Sequence, residues 1–245
     1  MRHTHPTYAM PKTVLDQDAA LLLGLHAGDG WISAKTWGIC INSADLLMRT
    51  EVLRLVREVL GVEPGESKPR NHSIMLRSSK AQVINFFLQH GFPEGKKSSI
   101  VQVPHAIFEG SPEVKRGFLK GVFSSDGCFH WEGLRGECRL EVVSKALRDG
   151  FVTLALDLRF EFRKYSYIHH GGHNKLPLHL AYLGKQEQVR RWMLEIGSIC
   201  DSHIRRFNGL MQGIERRNRG NPFDATLPET RLAGVAELGQ KRRLR

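Results

Sequence analysis

Apolar residues along this chain recur first at helical spacing and then in strand-like alternation, and the two patterns take turns. The pattern begins with an apolar helical run over 19–25, for which Asp16 or Asp18 can provide the N-cap. It then predicts a hairpin over 31–42, a helix over 46–60, a hairpin over 62–77 and a helix over 80–90. The first half therefore has the predicted order helix, hairpin, helix, hairpin, helix.

The second half of the chain repeats this order. Ser111 is a suitable N-cap, and Pro112 at the first helical position predicts a helix from there towards Phe123. The remaining predicted elements are hairpins over 129–144 and 160–183 and helices over 145–158 and 185–197. The order of elements indicates two structural repeats in one chain.

The first helix of each half ends in the same kind of motif. Residues 22–30 are Leu-Leu-Gly-Leu-His-Ala-Gly-Asp-Gly, and residues 119–127 are Leu-Lys-Gly-Val-Phe-Ser-Ser-Asp-Gly. At one constant offset, Gly24 matches Gly121, Gly28 matches Ser125, Asp29 matches Asp126 and Gly30 matches Gly127. Such an offset over four positions indicates a repeat.

The glycines and the acid of the first motif are each unfavourable for an isolated helix. Gly24 and Gly28 lie on one face of the predicted helix and let another backbone come close, although each interior glycine costs about 1 kcal/mol. Asp29 follows at the C-terminal end, where the helix dipole disfavours a carboxylate unless a positive charge lies beside it. The motif therefore predicts a close helix contact and a metal ion beside Asp29.

The charge of the chain favours a polyanionic partner. Its 245 residues carry 36 Lys and Arg against 25 Asp and Glu, a net charge of +11, which indicates nucleic acid first and an anionic membrane second. No apolar run approaches the roughly 20 residues of a membrane helix, and residues 1–12 do not resemble a secretory signal. We therefore expect an intracellular protein with no membrane partner, in a prokaryotic cytoplasm or an organelle.

The cysteines and histidines do not predict a zinc site. The chain has four cysteines without C-x-x-C spacing, Cys40, Cys128, Cys138 and Cys200. We expect them to be reduced, and Cys128, His130 and Cys138 lack an evident fourth ligand for zinc. The histidines of the glycine-rich stretch 169–174, together with His179, favour a polar loop that touches phosphate.

With its two motifs, the chain resembles the LAGLIDADG homing endonucleases, in the single-chain form with two motif copies, from about residue 14 to residue 207. Residues 22–30 keep the family's Leu, Gly, Leu and terminal Asp-Gly and depart from it at Leu23, His26, Ala27 and Gly28. The second copy keeps Leu119, Gly121 and the pair Asp126-Gly127.

The resemblance implies an α+β fold of tandem αββαββα repeats with pseudo-twofold symmetry. The two motif helices pack at the axis, and two antiparallel sheets form a DNA-binding saddle. On this basis we expect an N-terminal extension (1–12), a first LAGLIDADG repeat (13–110), a second repeat (111–210) and a basic C-terminal tail (211–245).

The resemblance also implies a Mg²⁺-dependent endodeoxyribonuclease. It would hydrolyse one phosphodiester in each strand across the minor groove and leave short 3′ overhangs. Asp29 and Asp126 would hold two or three Mg²⁺ ions, with Gly28 and Ser125 as further metal positions. Mn²⁺ or Ca²⁺ would substitute in the site, Ca²⁺ without cleavage.

The family often supplies a basic residue near the cut, from the segment after each later helix. Lys97, then Lys96, is the candidate in the first half, and Asp29, Asp126 and Lys97 are the expected catalytic residues. Arg205 or Arg206 is in the corresponding place of the second half, and Lys145 competes with them. These alternatives remain open.

Double-stranded DNA with a long, near-unique target site is the expected partner of a monomer. The contacts would come from strand-like segments of both halves. The candidates are Ser33, Lys35, Trp37, Asn42, Lys68, Arg70, His72, Arg77, Arg135, Arg139, Glu141, Arg163, Lys164, Tyr165, Tyr167 and Lys175. Asn42 is also a candidate for binding water near the metals.

Other functions are compatible with the same fold. An RNA maturase that assists intron splicing would use the saddle on RNA, and a DNA-binding regulator would use it without cleavage. An intein origin is also compatible, and because the chain ends in basic residues we expect an excised or free-standing endonuclease associated with intron or intein mobility.

Overall fold

A computed structural model describes residues 14–33, 35–68, 71–168 and 176–220. The predicted N-terminal extension, the stretch 169–174 and the tail beyond residue 220 lie outside the described residues. Two of the predicted DNA contacts, Arg70 and Lys175, also lie outside them.

The first repeat folds in the predicted order. Its elements are α1 (Gln17–Asp29), β1 (Gly30–Ser33), β2 (Thr36–Asn42), α2 (Leu46–Leu60), β3 (Gly65–Glu66), β4 (Ser73–Ser78) and α3 (Ala81–Gln89). Asp16 caps α1 by accepting a hydrogen bond from the N–H of Ala19, and Asp45 caps α2 by accepting one from Met48. The helices and hairpins predicted for this half are confirmed, although β3 is only a two-residue strand.

The second repeat follows after a short helix, α4 (His105–Phe108). Its elements are α5 (Pro112–Asp126), β5 (Gly127–Glu132), β6 (Arg135–Val142), α6 (Lys145–Asp157), β7 (Arg163–Ile168), β8 (Pro177–Leu183) and α7 (Gln186–Glu195). Ser111 and Ser144 cap α5 and α6 through their hydroxyl oxygens. The order predicted for the second half is therefore confirmed.

A last helix, α8 (Asp201–Gly220), crosses the predicted boundary between the second repeat and the tail at residue 210. The pattern of the sequence predicts neither α4 nor α8. One compact unit of the chain ends at Leu210, within α8. Among the described helices, none has the length and the apolar character that crossing a membrane requires.

Each repeat contributes one four-stranded antiparallel sheet. The strand orders are β1-β2-β4-β3 and β5-β6-β8-β7, so the two sheets have the same topology. In each sheet the glycine after the motif acid opens the first strand, with Gly30 opposite Ile39 and Gly127 opposite Leu140. The predicted α+β fold of two like repeats is confirmed.

Both sheets have one face against helices and one open face. In β2 the buried side chains are those of Trp37, Ile39 and Ile41. In β6 the buried positions are the even-numbered ones from Gly136 to Val142. Because successive side chains of a strand point to opposite faces, the alternate positions of both strands lie on the open faces.

The motif helices α1 and α5 pack at backbone distance. Helix α1 is buried on all sides from Ala19 to Ala27. A Cβ added to Gly24 would lie 2.2 Å from the carbonyl oxygen of Phe118, and one added to Gly121 would lie 2.3 Å from that of Leu21. Only glycine fits at these two positions, which confirms the predicted close contact of the helices.

Candidate active site at the ends of the motif helices

The two motif acids meet where α1 and α5 end. Asp29 is the last residue of α1 and Asp126 is the last residue of α5, and each is followed by an extended glycine. A Cβ added to Gly28 would lie 2.0 Å from Oγ of Ser125 and 3.1 Å from Cγ of Asp126. The close packing of the helices thus continues up to the carboxylates and holds them side by side.

The environment of the two carboxylates favours their protonated forms. Burial, and second the negative charge of Asp126, raise the pKa of Asp29 to about 7, while Lys97 acts in the opposite direction. Burial likewise raises the pKa of Asp126 to about 6, again against the effect of Lys97. Asp29 is exposed at the protein surface and Asp126 is half-buried. Both carboxylates are therefore reachable, and the positive charge of Lys97 only partly opposes the rise in their pKa values.

Lys97 reaches this site from the segment that follows α3. Its side chain is buried, and Nζ donates hydrogen bonds to the carbonyl oxygens of Ala27, at 2.5 Å, and of Gly28, at 2.6 Å. Burial lowers the pKa of Lys97, whereas the charges of Asp126 and Asp29 raise it. The structure therefore brings the lysine predicted for the first half to the motif acids, while the neighbouring Lys96 is exposed.

The second repeat has a neutral polar network near the end of α5. Ser124 donates a hydrogen bond to the carbonyl of Lys120, and its Oγ lies 3.2 Å from Oγ of Ser198. Ser198 in turn lies 2.9 Å from Nδ1 of His203, a buried side chain that also interacts with the backbone of Gly127. Burial first, and Arg206 second, lower the pKa of His203 to about 4, so its ring is uncharged at neutral pH.

None of the basic residues considered for the second half reaches the acids. Arg206 donates to the carbonyl of Phe129, at 3.1 Å, and Arg205 donates to the carbonyl of Asp201 in its own helix. Nζ of Lys145 lies 2.8 Å from the carboxylate of Asp149. Among the described residues, Lys97 is the one cation whose charge acts on the pKa of either motif acid.

The donors at the site suit a hard cation. In the described parts of the chain, no three His, Cys, Asp or Glu side chains cluster as metal ligands, and this holds for Cys128, His130 and Cys138 as well. Two carboxylates and backbone carbonyls remain, and Mg²⁺ binds with one or two carboxylates when phosphate oxygens and water complete its shell. Of the two further predicted metal positions, the Gly28 carbonyl accepts from Lys97, and the Ser125 hydroxyl donates to carbonyls of its own helix.

Most predicted DNA contacts of the first repeat are exposed. They are Ser33, Lys35, Asn42, Lys68, His72 and Arg77. Strand alternation places Ser33, Asn42 and Arg77 on the open face of the first sheet. Oδ1 of Asn42 accepts a hydrogen bond from the N–H of Ala44 at 2.9 Å, so this side chain also stabilises the turn before α2.

The prediction for Trp37 is wrong. Its side chain is fully buried on the helix side of the sheet and stacks on Phe87 at 5.3 Å between ring centroids. Its indole N–H donates to Nδ1 of His26 at 3.1 Å. Trp37 is a core residue of the first repeat and has no surface for DNA. The open face at this position carries Trp31, which packs over Gly38.

All but one of the described DNA-contact candidates in the second sheet lie on its open face. Those on the open face are Arg135, Arg139, Glu141, Arg163, Tyr165 and Tyr167. Lys164 pairs in register with the buried Ala181, which places it on the helix side, and its Nζ lies 3.4 Å from the carboxylate of Asp149. Lys164 therefore lies on the opposite face of the sheet from the other predicted contacts, and its contact with DNA stays a prediction.

Two polar residues of this face, Glu137 and Tyr182, were not among the predicted DNA contacts. Glu137 forms an ion pair with Arg139, whose guanidinium lies 5.8 Å from the ring centroid of Tyr182. Burial, and second its hydrogen bond with Glu137, raise the pKa of Tyr182. Further along the face, the hydroxyl of Tyr167 donates to Glu141. The alternation of charged residues along β6 would have identified Glu137, because it lies between Arg135 and Arg139 on the same face.

Several curated proteins are similar to part of this chain. An A-type ATP synthase subunit from Pyrococcus abyssi is 31% identical over 145 residues, which are 59% of this chain and 14% of that protein. The tRNA-splicing ligase RtcB from Pyrococcus abyssi is 38% identical over 121 residues, which are 44% of this chain and 13% of the ligase. The chain thus spans about one seventh of the length of these relatives.

The family and structure comparisons agree with the two-repeat fold. The model of the LAGLIDADG-like domain matches residues 113–197. The crystal structure of I-DmoI in complex with DNA and Mn has a TM-score of 0.55 at 16% identity and covers 75% of this chain and 98% of that one. Full-length WhiA from Thermatoga maritima also has a TM-score of 0.55, at 12% identity, and covers 96% of this chain and 70% of that one. The resemblance seen in the motifs is therefore confirmed: residues 113–197 match the LAGLIDADG-like domain, and the chain has the fold of I-DmoI, a single-chain homing endonuclease with two motif copies.

Proposed function

We propose that this protein is a site-specific homing endonuclease that hydrolyses one phosphodiester in each strand of double-stranded DNA. The cuts lie across the minor groove and leave short 3′ overhangs. The observation that carries the proposal is the pair of reachable carboxylates, Asp29 and Asp126, held together at the ends of two helices in glycine contact. Each of the two motif copies has its terminal acid, and cleavage of both strands requires both.

The two acids would hold divalent metal, Mg²⁺ in the cell and Mn²⁺ or Ca²⁺ as substitutes. When bound, the metal lowers the pKa of a water molecule and stabilises the charge on the leaving oxygen. The crystal structure of I-DmoI, a protein of the same fold in complex with DNA and Mn, supports this choice. Asp29 and Asp126 act as ligands, and Lys97 supplies positive charge beside one of the two reacting phosphates.

The open faces of the two sheets would hold the duplex. Strands in the major groove present alternate side chains to base edges, and basic residues at their ends contact phosphates. Arg77 in the first sheet and Arg135, Arg139 and Arg163 in the second are exposed on these faces. Because one chain supplies both repeats, the protein would act as a monomer on a long target.

The curated relatives support an origin in a mobile element. An RNA ligase and an ATP synthase component have unrelated activities, yet each matches this chain over only about one seventh of its own length. An inserted domain of the same kind in both proteins accounts for this pattern. We infer that the chain descends from such an insertion and that it acts in intron or intein mobility.

The proposal is tested by selecting cleaved sites from a random DNA library with Mg²⁺. We expect one family of long sites, cut in both strands. Asp29→Asn and Asp126→Asn should each reduce cleavage by at least two orders of magnitude, about the loss expected when catalytic charge stabilisation is removed. Asp157→Asn is the control, because Asp157 pairs with Lys115 near the other end of α5.

The alternatives give different outcomes in the same experiment. Specific binding to duplex DNA without cleavage, at any divalent metal concentration, would favour a non-cleaving regulator. Tight binding to a structured intron RNA, with no DNA site selected, would favour a maturase. Full cleavage by both Asn variants would show that the motif acids are not the active site.

A further inference from the structure

The ammonium of Lys97 occupies a position that has the chemistry of a cation site. Nζ lies 2.5 Å from the carbonyl oxygen of Ala27 and 2.6 Å from that of Gly28. These carbonyls belong to the last turn of α1, where the helix dipole places partial negative charge. The negative charges of Asp29 and Asp126 act on the same ammonium. Lys97 is therefore surrounded by oxygen donors that would also attract a divalent metal.

We propose that Lys97 is a built-in counter-ion that holds the motif acids together in the metal-free protein and competes with the incoming metal for the same oxygen donors. The inference rests on the proposed function only in taking Asp29 and Asp126 as the metal ligands. On metal binding, Nζ leaves the carbonyl of Gly28, and the ammonium becomes available to the DNA phosphates.

The arrangement of charges supports competition between the ammonium of Lys97 and an incoming divalent metal. Two carboxylates at the negative ends of two adjacent helices repel each other, and Lys97 is the one described cation that acts on both. Its side chain is buried, so solvent screens its charge only weakly. A divalent cation placed beside the same acids would be repelled by an ammonium that remained there.

The chain offers a matched control in the next residue. Lys96 carries the same charge and precedes Lys97 directly, but its side chain is exposed. A change at Lys96 therefore alters the net charge of the protein equally without altering the contacts of the acids. Lys97→Met keeps most of the length of the side chain and removes only the ammonium.

The test is a titration of the full-length protein with Mn²⁺, without DNA, by calorimetry. Lys97→Met should bind Mn²⁺ about tenfold tighter or more than the parent protein, because removing a buried positive charge favours the metal. Lys96→Met should change the affinity by less than about twofold, as expected for a screened surface charge. Equal or weaker binding by Lys97→Met would overturn the proposal.

A measurement on the unmodified protein covers the case in which Lys97→Met does not fold. Lysine acetylation by a water-soluble reagent is followed by mass spectrometry, with and without Ca²⁺. Lys97 should be protected in the metal-free protein and become several-fold more reactive with Ca²⁺, whereas Lys96 should react equally in both states. Protection of Lys97 that is the same with and without Ca²⁺ would contradict the displacement.

The two proposals fail in different ways. If neither the parent protein nor Lys97→Met binds Mn²⁺, the metal site itself is wrong, and with it the proposed function. If both bind Mn²⁺ equally, and Asp29→Asn abolishes binding in both, the metal site is right and only the counter-ion role of Lys97 is wrong.

Discussion

The raised pKa values of Asp29, about 7, and Asp126, about 6, make metal binding dependent on pH. A bound metal must displace protons that these groups hold in the folded protein. We expect the apparent affinity for Mn²⁺ to rise steeply between about pH 5 and pH 8 and to level off above that range. Calorimetry in buffers of different ionisation enthalpy would measure the accompanying proton release. An affinity that does not change over this range would contradict the raised pKa values.

The same two carboxyl groups should lower the stability of the metal-free protein as the pH rises, whereas they raise the apparent affinity for metal. Their folded pKa values lie above the unfolded value of about 3.9, so the folded state holds more protons than the unfolded state over the interval between them. Their contribution to the free energy of unfolding is therefore fully present below about pH 4 and is lost as the pH rises towards 7. Urea unfolding in chelator should show this loss in the parent protein, and a flatter dependence in the double variant Asp29→Asn with Asp126→Asn.

At the residue scale, the sequence predicted the acids but misassigned Trp37. The motif repeat identifies Asp29 and Asp126 because a helix end followed by glycine recurs at one spacing. The alternation in β2 does not reveal which face is buried, because Cys40 on the open face and Ile39 on the helix face are both apolar. The buried indole N–H is satisfied by a hydrogen bond to His26, a partner that the pattern alone does not show.

Within the second sheet, Arg139 is the clearest candidate for reading a base. It lies on the open face, with its guanidinium held by the ion pair with Glu137 and the ring of Tyr182. Arginine on a strand in the major groove most often recognises guanine. Arg139→Ala should remove about 1–3 kcal/mol of discrimination at one base pair of the target.

The measurement is fluorescence anisotropy in Ca²⁺, with the selected target and with duplexes substituted at each position. Lys164→Ala is the control, since it removes the same charge from the opposite face of the sheet. It should lower affinity for all duplexes by a similar factor, or not at all. Loss of discrimination in Lys164→Ala, and none in Arg139→Ala, would contradict the assigned faces.

At the scale of elements, α1 and α5 contact each other at backbone distance. Gly24→Ala would place a methyl group 2.2 Å from the backbone oxygen of Phe118, so the helices would have to separate. We expect a loss of about 1–3 kcal/mol or more in the free energy of unfolding, as for overpacked cores. Gly65→Ala is the control, because its nearest contact would be at 3.7 Å. Urea unfolding midpoints compare the two.

Two helices, α4 and α8, were not predicted from the pattern of apolar residues. Helix α4 has only four residues, too few for any periodicity to be visible. In α8, apolar residues such as Phe207 and Leu210 are buried, while most of the remaining positions are charged or polar. Helix α8 does carry apolar residues at helical spacing, Ile204, Phe207, Met211 and Ile214, but the boundary predicted at residue 210 divides this pattern between the second repeat and the tail.

For the whole molecule, two repeats of one topology meet in a site that is not symmetric. The first repeat sends Lys97 to the acids, whereas the corresponding part of the second has the neutral network of Ser124, Ser198 and His203. The repeat itself could be predicted from sequence because the motif and the order of elements recur. The asymmetry could not, because it depends on where side chains after α3 and α7 point.

This asymmetry predicts that the two DNA strands are cut at unequal rates. A positive charge beside one scissile phosphate stabilises its transition state, and the other phosphate lacks an equivalent group among the described residues. With a different dye on each strand, a nick in one particular strand should appear first and be converted to the double-strand break later. Lys97→Met should slow the faster strand by about tenfold or more while affecting the slower strand less. Inverting the target within the duplex should exchange the dyes but not the order of cutting relative to the site. Equal rates for both strands, or an equal loss on both in Lys97→Met, would show that Lys97 serves the two phosphates alike.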